Sequence, residues 1–390
     1  MTGFKRNAAF DTPQFLQQKW QRTPVFLPGF LPDFVDPLTA EELAGLACEK
    51  AVESRLVTSK DNSQWQLEHG PFPEQRFRKL PELDWTLLVQ AVDLWDSGVA
   101  SLKTQFDFIP SWRIDDVMVS YATPAGGVGP HFDYYDVFLL QGSGQRTWQV
   151  GQLCDSKTRI RNQSGLALLD SFEATAEYVL NPGDVLYLPP GYAHWGLAST
   201  AGLCYSIGFR DPSLAEMLEG FGDYLIAATD SDCRFRDSPP AIPAYAGEID
   251  PLSLQNAFEL VSKAFTKPAS FASWFGCHVT RPKYPEFIQP MARPLQQAEL
   301  GALLENDRVI RRNAGSRFAF LDSTDAGEVL LFADGEVFSL SHQLLDLVVE
   351  ICSTSPLNNG SFPIEKMSTE GQRLLLELIN QGSLVTEDAT

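Results

Sequence analysis

The chain has few of the residues that build reactive or metal-binding centres. Histidine occurs only at His69, His131, His194, His278 and His342. The six cysteines, Cys48, Cys154, Cys204, Cys233, Cys277 and Cys352, are scattered, with no C-x-x-C pair and no zinc-type spacing. This pattern argues against a cysteine-built metal centre and a disulfide framework. Buried free thiols in a reducing compartment are expected instead. No apolar run approaches a membrane span. The opening "MTGFKRNAAFDTPQF" has no apolar segment of signal-peptide length, so a cytoplasmic protein is expected. Basic residues are in the minority: 30 Lys and Arg stand against 50 Asp and Glu, a net charge of −20. Such a chain repels phosphate backbones, which argues against direct nucleic-acid binding and favours a basic partner. Internal repeats and low-complexity segments are also missing.

What is there suffices for two or three domains: 390 residues, 44% hydrophobic. "LTAEELAGLACEKAVESRLV" has a cap-type Thr39 and helical apolar spacing, so a helix is predicted there. "WTLLVQAVDLWDSGVASLKTQF" is predicted as a second amphipathic helix. From about residue 112 to 210 the texture changes to short apolar segments between Gly/Pro turns. These include "YYDVFLLQGSG", "RTWQVGQL", "NPGDVLYLPPG" and "CYSIGFR", which suit a jelly-roll barrel. Helical periodicity returns over 211–280, and the Pro-rich "RPKYPEFIQPMARP" reads as a linker. Residues 290–390 read as a small winged-helix-like domain of helices and short strands. Its stretch 293–390 carries seven Arg or Lys against fifteen Asp or Glu, which disfavours phosphate contact.

Two of the five histidines lie in the β-rich segment. His131 precedes Asp133 by two positions, so in an extended strand both side chains share a face. His194 follows in "LPPGYAHWG", on a later strand that a barrel can bring opposite. An H-x-D alone is common by chance. H-x-D and a distant His in order, inside a jelly-roll pattern, give two imidazoles and a carboxylate on one side of a metal. That facial set suits non-haem Fe(II) and leaves positions open for a cosubstrate and O₂. Arg146 lies fifteen positions after His131, beyond a Gly-Ser-Gly hairpin. A barrel-facing arginine needs an anion, and a guanidinium grips a carboxylate with two parallel hydrogen bonds. A dicarboxylate that chelates the metal at one end and meets Arg146 at the other, such as 2-oxoglutarate, accounts for it.

These motifs, "GGVGPHFDYYDVFLLQGSGQRTWQVG", "LNPGDVLYLPPGYAHWG" and "YSIGFR", resemble those of the JmjC-type ribosomal oxygenases. The likeness extends over nearly the whole chain, through "WQLEHGPF", "WRIDDVMVS" and "SWFGCHVTRPK". It implies a mixed α/β (α+β) fold with a double-stranded β-helix, the jelly-roll or cupin barrel of JmjC domains, within residues 1–210. It further implies a helical dimerisation region at 211–280 and a winged-helix domain without DNA-binding character at 290–390. By resemblance, His131, Asp133 and His194 match the iron ligands. Arg146 matches the anchor for the distal carboxylate of 2-oxoglutarate, where many other JmjC enzymes carry lysine. Ser120 and Tyr121 match positions near the cosubstrate, and strand alternation lets only one of them face in. Where the family often has an asparagine for the proximal carboxylate, this sequence has Cys204, with Ser206 nearby. The bacterial branch hydroxylates an arginine of large-subunit ribosomal protein sixteen and pairs as a homodimer. Asp115, Asp116 and Tyr135 are candidate contacts for that guanidinium. A cupin enzyme without 2-oxoglutarate, an N-methyl demethylase and a non-catalytic scaffold are the rival readings.

Overall fold

Antiparallel strand pairing organises the first of two units, Met1–Asp211, into which the computed structural model divides; the second is Pro212–Thr390. The structure describes residues 4–236, 245–304, 308–323, 327–353 and 367–388. In the first unit, β1 (Val25–Leu27), β2 (Ser54–Lys60), β3 (Gln64–His69) and β4 (Trp85–Val89) precede the β-rich segment read from the sequence. Within it lie β5 (Ile114–Ala122), β6 (Val137–Gln141), β7 (Gln145–Leu153), β8 (Ile160–Gln163), β9 (Leu166–Leu169), β10 (Ala176–Leu180), β11 (Val185–Leu188), β12 (Tyr192–Thr200) and β13 (Gly202–Phe209). An eight-stranded sheet runs β1-β11-β6-β13-β5-β4-β2-β3, and a three-stranded sheet runs β10-β7-β12.

Side-chain alternation explains why two sheets enclose one interior. In β6, Phe138 and Leu140 join the large cluster that includes Phe15, Leu43, Phe106 and Tyr187, outside the eight-stranded sheet. Val137 and Leu139 point the other way and meet Trp148 and Val150 of β7, with Leu186, Leu188 and Cys204. Each such fully buried apolar side chain contributes about 1.5–3 kcal/mol. The sheets thus pack face to face as the expected double-stranded β-helix, and β7 aims Arg146, Trp148 and Val150 inward.

Among the described residues the unit also holds the short α-helices α1 (Thr12–Gln18), α2 (Ala40–Leu46), α3 (Glu74–Phe77) and α4 (Ser97–Ser101). Two predictions need correction here. The Thr39 cap is real: its side chain accepts from Glu42 N, and the Glu42 carboxylate accepts from Thr39 N. The helix, however, ends at Leu46, and "SRLV" opens β2, because Leu56 and Val57 pair with Leu87 and Thr86 of β4. The helix predicted over "WTLLVQAVDLWDSGVASLKTQF" is instead β4 followed by short turns and α4. Trp85–Val89 is bracketed by β2 and β5, and Ala91 is left-handed at φ 51°. Buried Asp93 then accepts from Val117 N and Lys103 Nζ, locking the turn to β5. Pairing partners on both sides outweigh a short run's helical spacing. The sheet accordingly begins well before residue 112.

The second unit contains α5 (Leu214–Ala227), α6 (Pro251–Phe265), α7 (Pro268–Thr280) and α8 (Gln297–Leu304). Then come β14 (Arg308–Arg312), β15 (Phe318–Ser323), β16 (Glu328–Ala333), β17 (Glu336–Ser341), α9 (Leu345–Cys352), α10 (Thr369–Asn380) and β18 (Leu384–Asp388). Ser213 caps α5 through a capping box, and Asp250 with Pro251 starts α6. The β16–β17 hairpin turns on Asp334-Gly335, both at positive φ, the Asp-Gly signal of a tight hairpin. Leu331, Leu347, Val348, Leu374 and Leu378 close the core of this helix-and-wing arrangement. No helix among the described residues is long and apolar enough to cross a membrane.

Candidate active site

His131 and His194 face each other across a single antiparallel bridge. His131 N donates to His194 O at 3.1 Å, and His194 N donates to His131 O at 2.8 Å. Gly191 N donates to Asp133 O at 2.7 Å. The H-x-D segment is therefore not the strand that the alternation suggested. It is a one-bridge segment pinned at two points to the chain entering β12, and β6 starts only at Val137. An irregularity in the β12–β7 register between Tyr192 and His194 buries both Ala193 and His194.

The three side chains converge. One ligand atom from each of His131, Asp133 and His194 lies within 4.8 Å of the others. His194 Nε2 is 3.7 Å from Asp133 Oδ2, and the imidazole centroids are 4.3 Å apart. His131 Nδ1 lies 2.9 Å from Gly129 O, and His194 Nδ1 lies 2.9 Å from Tyr192 O. A carbonyl only accepts, so each Nδ1 carries the proton and each Nε2 keeps its lone pair. Burial, and then His131, push His194 down to about 4 against the opposing pull of Asp133. The imidazole is neutral near pH 7, the form that binds a metal. Two nitrogens and a carboxylate oxygen on one side suit a divalent iron-type ion.

Arg146 lies on the same inner wall, buried. Its Nη1 donates to Ser120 Oγ at 3.2 Å, whereas Nε and Nη2 are buried without a hydrogen-bond partner. The guanidinium stands 5.8 Å from the Trp148 ring centroid, and Trp148 lies 5.9 Å from the His194 ring. Trp148 thus spans the gap between cation and imidazoles. Two buried donors left open on a cation are costly unless an anion meets them, so this wall fits a ligand carboxylate. Ser120 faces in. Tyr121 does not: it turns to the opposite face and packs on Trp85 at 5.5 Å, which corrects its candidate cosubstrate contact. Cys204 lies across from Ser120, and Ser206 lies across from Met118. Both belong to the same inner row.

The three candidate guanidinium contacts separate in space. Asp116 is buried and faces inward. Asp115 turns the other way and accepts from Arg210 Nε at 2.8 Å. Tyr135 is 42% exposed overall, but desolvation of its hydroxyl end, then Asp133 and Asp116, hold the phenol well above its usual range, so it stays a neutral hydroxyl that can accept from a guanidinium. Sequence reasoning missed Gln90 and Arg55. Gln90 Nε2 donates to Asp116 Oδ1 at 3.0 Å and Oδ2 at 2.9 Å, and Gln90 Oε1 accepts from Arg55 Nη2 at 3.3 Å. Reading "WTLLVQ" as a strand would have placed Gln90 on the face of Leu88, beside Ser120.

Comparison with known proteins agrees with this geometry. A JmjC domain model matches residues 101–217, and a ROXA-like winged-helix model matches 259–385. The chain is 37% identical over 331 residues to the ribosomal protein uL16 3-hydroxylase of Escherichia coli, covering 85% of this chain and 86% of that one. It is 40% identical over 211 residues to a probable ribosomal oxygenase of Haemophilus influenzae, covering 54% of this chain and 52% of that one. The crystal structure of E. coli YcfD superposes with a TM-score of 0.87 at 34% identity, covering 99% of this chain and all of that one. YcfD in complex with cobalt and 2-oxoglutarate gives a TM-score of 0.85, covering 98% of this chain and all of that one.

Proposed function

This chain belongs to the JmjC-type ribosomal oxygenases, and from that premise we propose that it is an Fe(II)- and 2-oxoglutarate-dependent oxygenase. Its substrate in this reading is an arginine side chain of large-subunit ribosomal protein sixteen. The observation that carries the reading is one inner wall with a His131–Asp133–His194 cluster at one end and the two open donors of Arg146 at the other.

His131, Asp133 and His194 would hold the iron, and Arg146 with Ser120 would hold the distal carboxylate of 2-oxoglutarate. With O₂, iron and 2-oxoglutarate supply the oxidising power that puts one oxygen atom into a C–H bond and the other into succinate, with loss of CO₂. The protein's own work is placement. The backbone bridge fixes the two imidazoles, and their Nδ1–H bonds fix which nitrogen faces the site. Burial keeps His194 unprotonated. Asp116 offers a carboxylate to the incoming guanidinium, and Tyr135 offers a hydroxyl beside it. An arginine in a basic ribosomal protein suits a chain of net charge −20, and a ribosomal substrate fits the cytoplasmic location expected from the sequence.

Exposed apolar residues of α6 support a homodimer. Leu254, Phe258, Val261 and Phe265 form a helical stripe, with Phe258 72% exposed. The test of the activity is direct. Purified protein with Fe(II), 2-oxoglutarate and ribosomal protein sixteen should give succinate and a product heavier by one oxygen, located on arginine by mass spectrometry. His131→Ala should abolish both signals. Loss of a methyl group in place of oxygen gain would establish the demethylase reading. Succinate formation that no protein substrate stimulates would overturn the ribosomal one.

A further inference from the structure

The inner face of the large sheet carries a polar relay beside the metal cluster that the iron and cosubstrate do not use. Arg55 of β2 pairs with Leu88 of β4, and Leu88 pairs with Ser120 of β5, so Arg55 shares the inward row with the cosubstrate wall. Its guanidinium Nη2 reaches Gln90 Oε1 at 3.3 Å and Met118 Sδ at 3.7 Å. Gln90 turns its amide nitrogen to both oxygens of Asp116, at 3.0 and 2.9 Å. A cation, an amide and a carboxylate thus stand in line.

We propose that Gln90 is a positioning residue for the substrate: it clamps the Asp116 carboxylate and keeps Arg55 from pairing with it. The inference rests on Asp116 as the partner of the substrate guanidinium. A carboxylate needs a donor and a guanidinium needs an acceptor, and a neutral amide offers one of each. Glutamate at this position would repel Asp116, and lysine would neutralise it. Without the amide, the long Arg55 side chain has a short path to Asp116 and competes with the substrate for the same oxygens. The chain's own arginine would then occupy the place meant for another's.

The test uses the full-length enzyme and an arginine-containing peptide of ribosomal protein sixteen. Peptide affinity is measured by calorimetry on protein loaded with Mn(II) and 2-oxoglutarate, and steady-state constants are measured with Fe(II). Gln90→Ala should weaken peptide binding about tenfold or more, the size of a lost hydrogen bond to a charged group. Its kcat and its KM for 2-oxoglutarate should stay within about twofold, which a general loss of structure would not allow. The double variant Arg55→Ala/Gln90→Ala should recover most of the lost affinity, because the competitor is gone. Asp116→Ala is the control. If it weakens peptide binding and Gln90→Ala does not, the positioning role is overturned while the substrate reading stands. If Asp116→Ala has no effect, the assignment of Asp116 itself is wrong. A double variant no better than Gln90→Ala would overturn the separation of Arg55 from Asp116.

Discussion

Arg146 shows how much one residue can say. A buried guanidinium with one bond to Ser120 and two open donors is out of balance by itself. Arg146→Ala should raise the KM for 2-oxoglutarate at least about tenfold, since charge-assisted hydrogen bonds contribute about 1.5–3 kcal/mol each. Arg146→Lys should recover part of this, because a point charge reaches one carboxylate oxygen where the planar fork reaches two. Thermal melting gives an independent check. Saturating 2-oxoglutarate with Mn(II) should raise the Tm of the native protein and leave that of Arg146→Ala nearly unmoved beyond the effect of Mn(II) alone. Arg146 and the His–Asp–His set were legible in the sequence because each residue type is chemically odd for its apolar surroundings. Gln90 was not, since a glutamine looks ordinary until its two neighbours are known.

At the scale of elements, the site depends on the joint between the H-x-D segment and the entry to β12. Gly191 makes that joint: its N–H binds Asp133 O, its carbonyl accepts from Cys154 N, and its φ is +84°. A Cβ there would meet Cys154 O at 3.0 Å. Gly191→Ala should therefore destabilise the fold by about 1–2 kcal/mol, the cost of a left-handed conformation for a residue with a Cβ. It should also weaken metal binding by shifting Asp133. Lower Tm together with a raised Mn(II) dissociation constant would confirm the joint, whereas unchanged metal affinity would show that Asp133 is held elsewhere. The misread segments belong to this scale too. "SRLV" and "WTLLV" have apolar spacing compatible with either helix or strand. Only their partners across the sheet decide, and those partners lie tens of residues away in sequence.

For the whole molecule, charge and exposed apolar surface carry the predictions. Leu254→Asp/Phe258→Asp puts two carboxylates into the exposed stripe of α6. In light scattering, the native protein should have twice the chain mass and this variant the mass of one chain, while its circular dichroism stays native. The winged-helix segment, with seven basic residues against fifteen acidic ones over 293–390, should not retard RNA or DNA in gels at physiological salt. Retardation there would reveal a local basic surface that the overall balance conceals.

The sequence by itself determined the chemistry that depends on residue type and order. The H-x-D, the later histidine, the buried arginine and the turn-punctuated β texture sufficed to expect a metal-binding barrel, because a metal and a dicarboxylate demand those donors wherever the chain puts them. Tertiary structure decided what depends on distant neighbours. It set which segments pair as strands, that Ser120 faces in and Tyr121 out, and that Asp115 and Asp116 part company. It also placed Arg55 and Gln90 behind Asp116. The physical reason is the same in each case: facing and partnership are fixed by hydrogen-bond register between strands far apart in the chain, and no local pattern encodes that register.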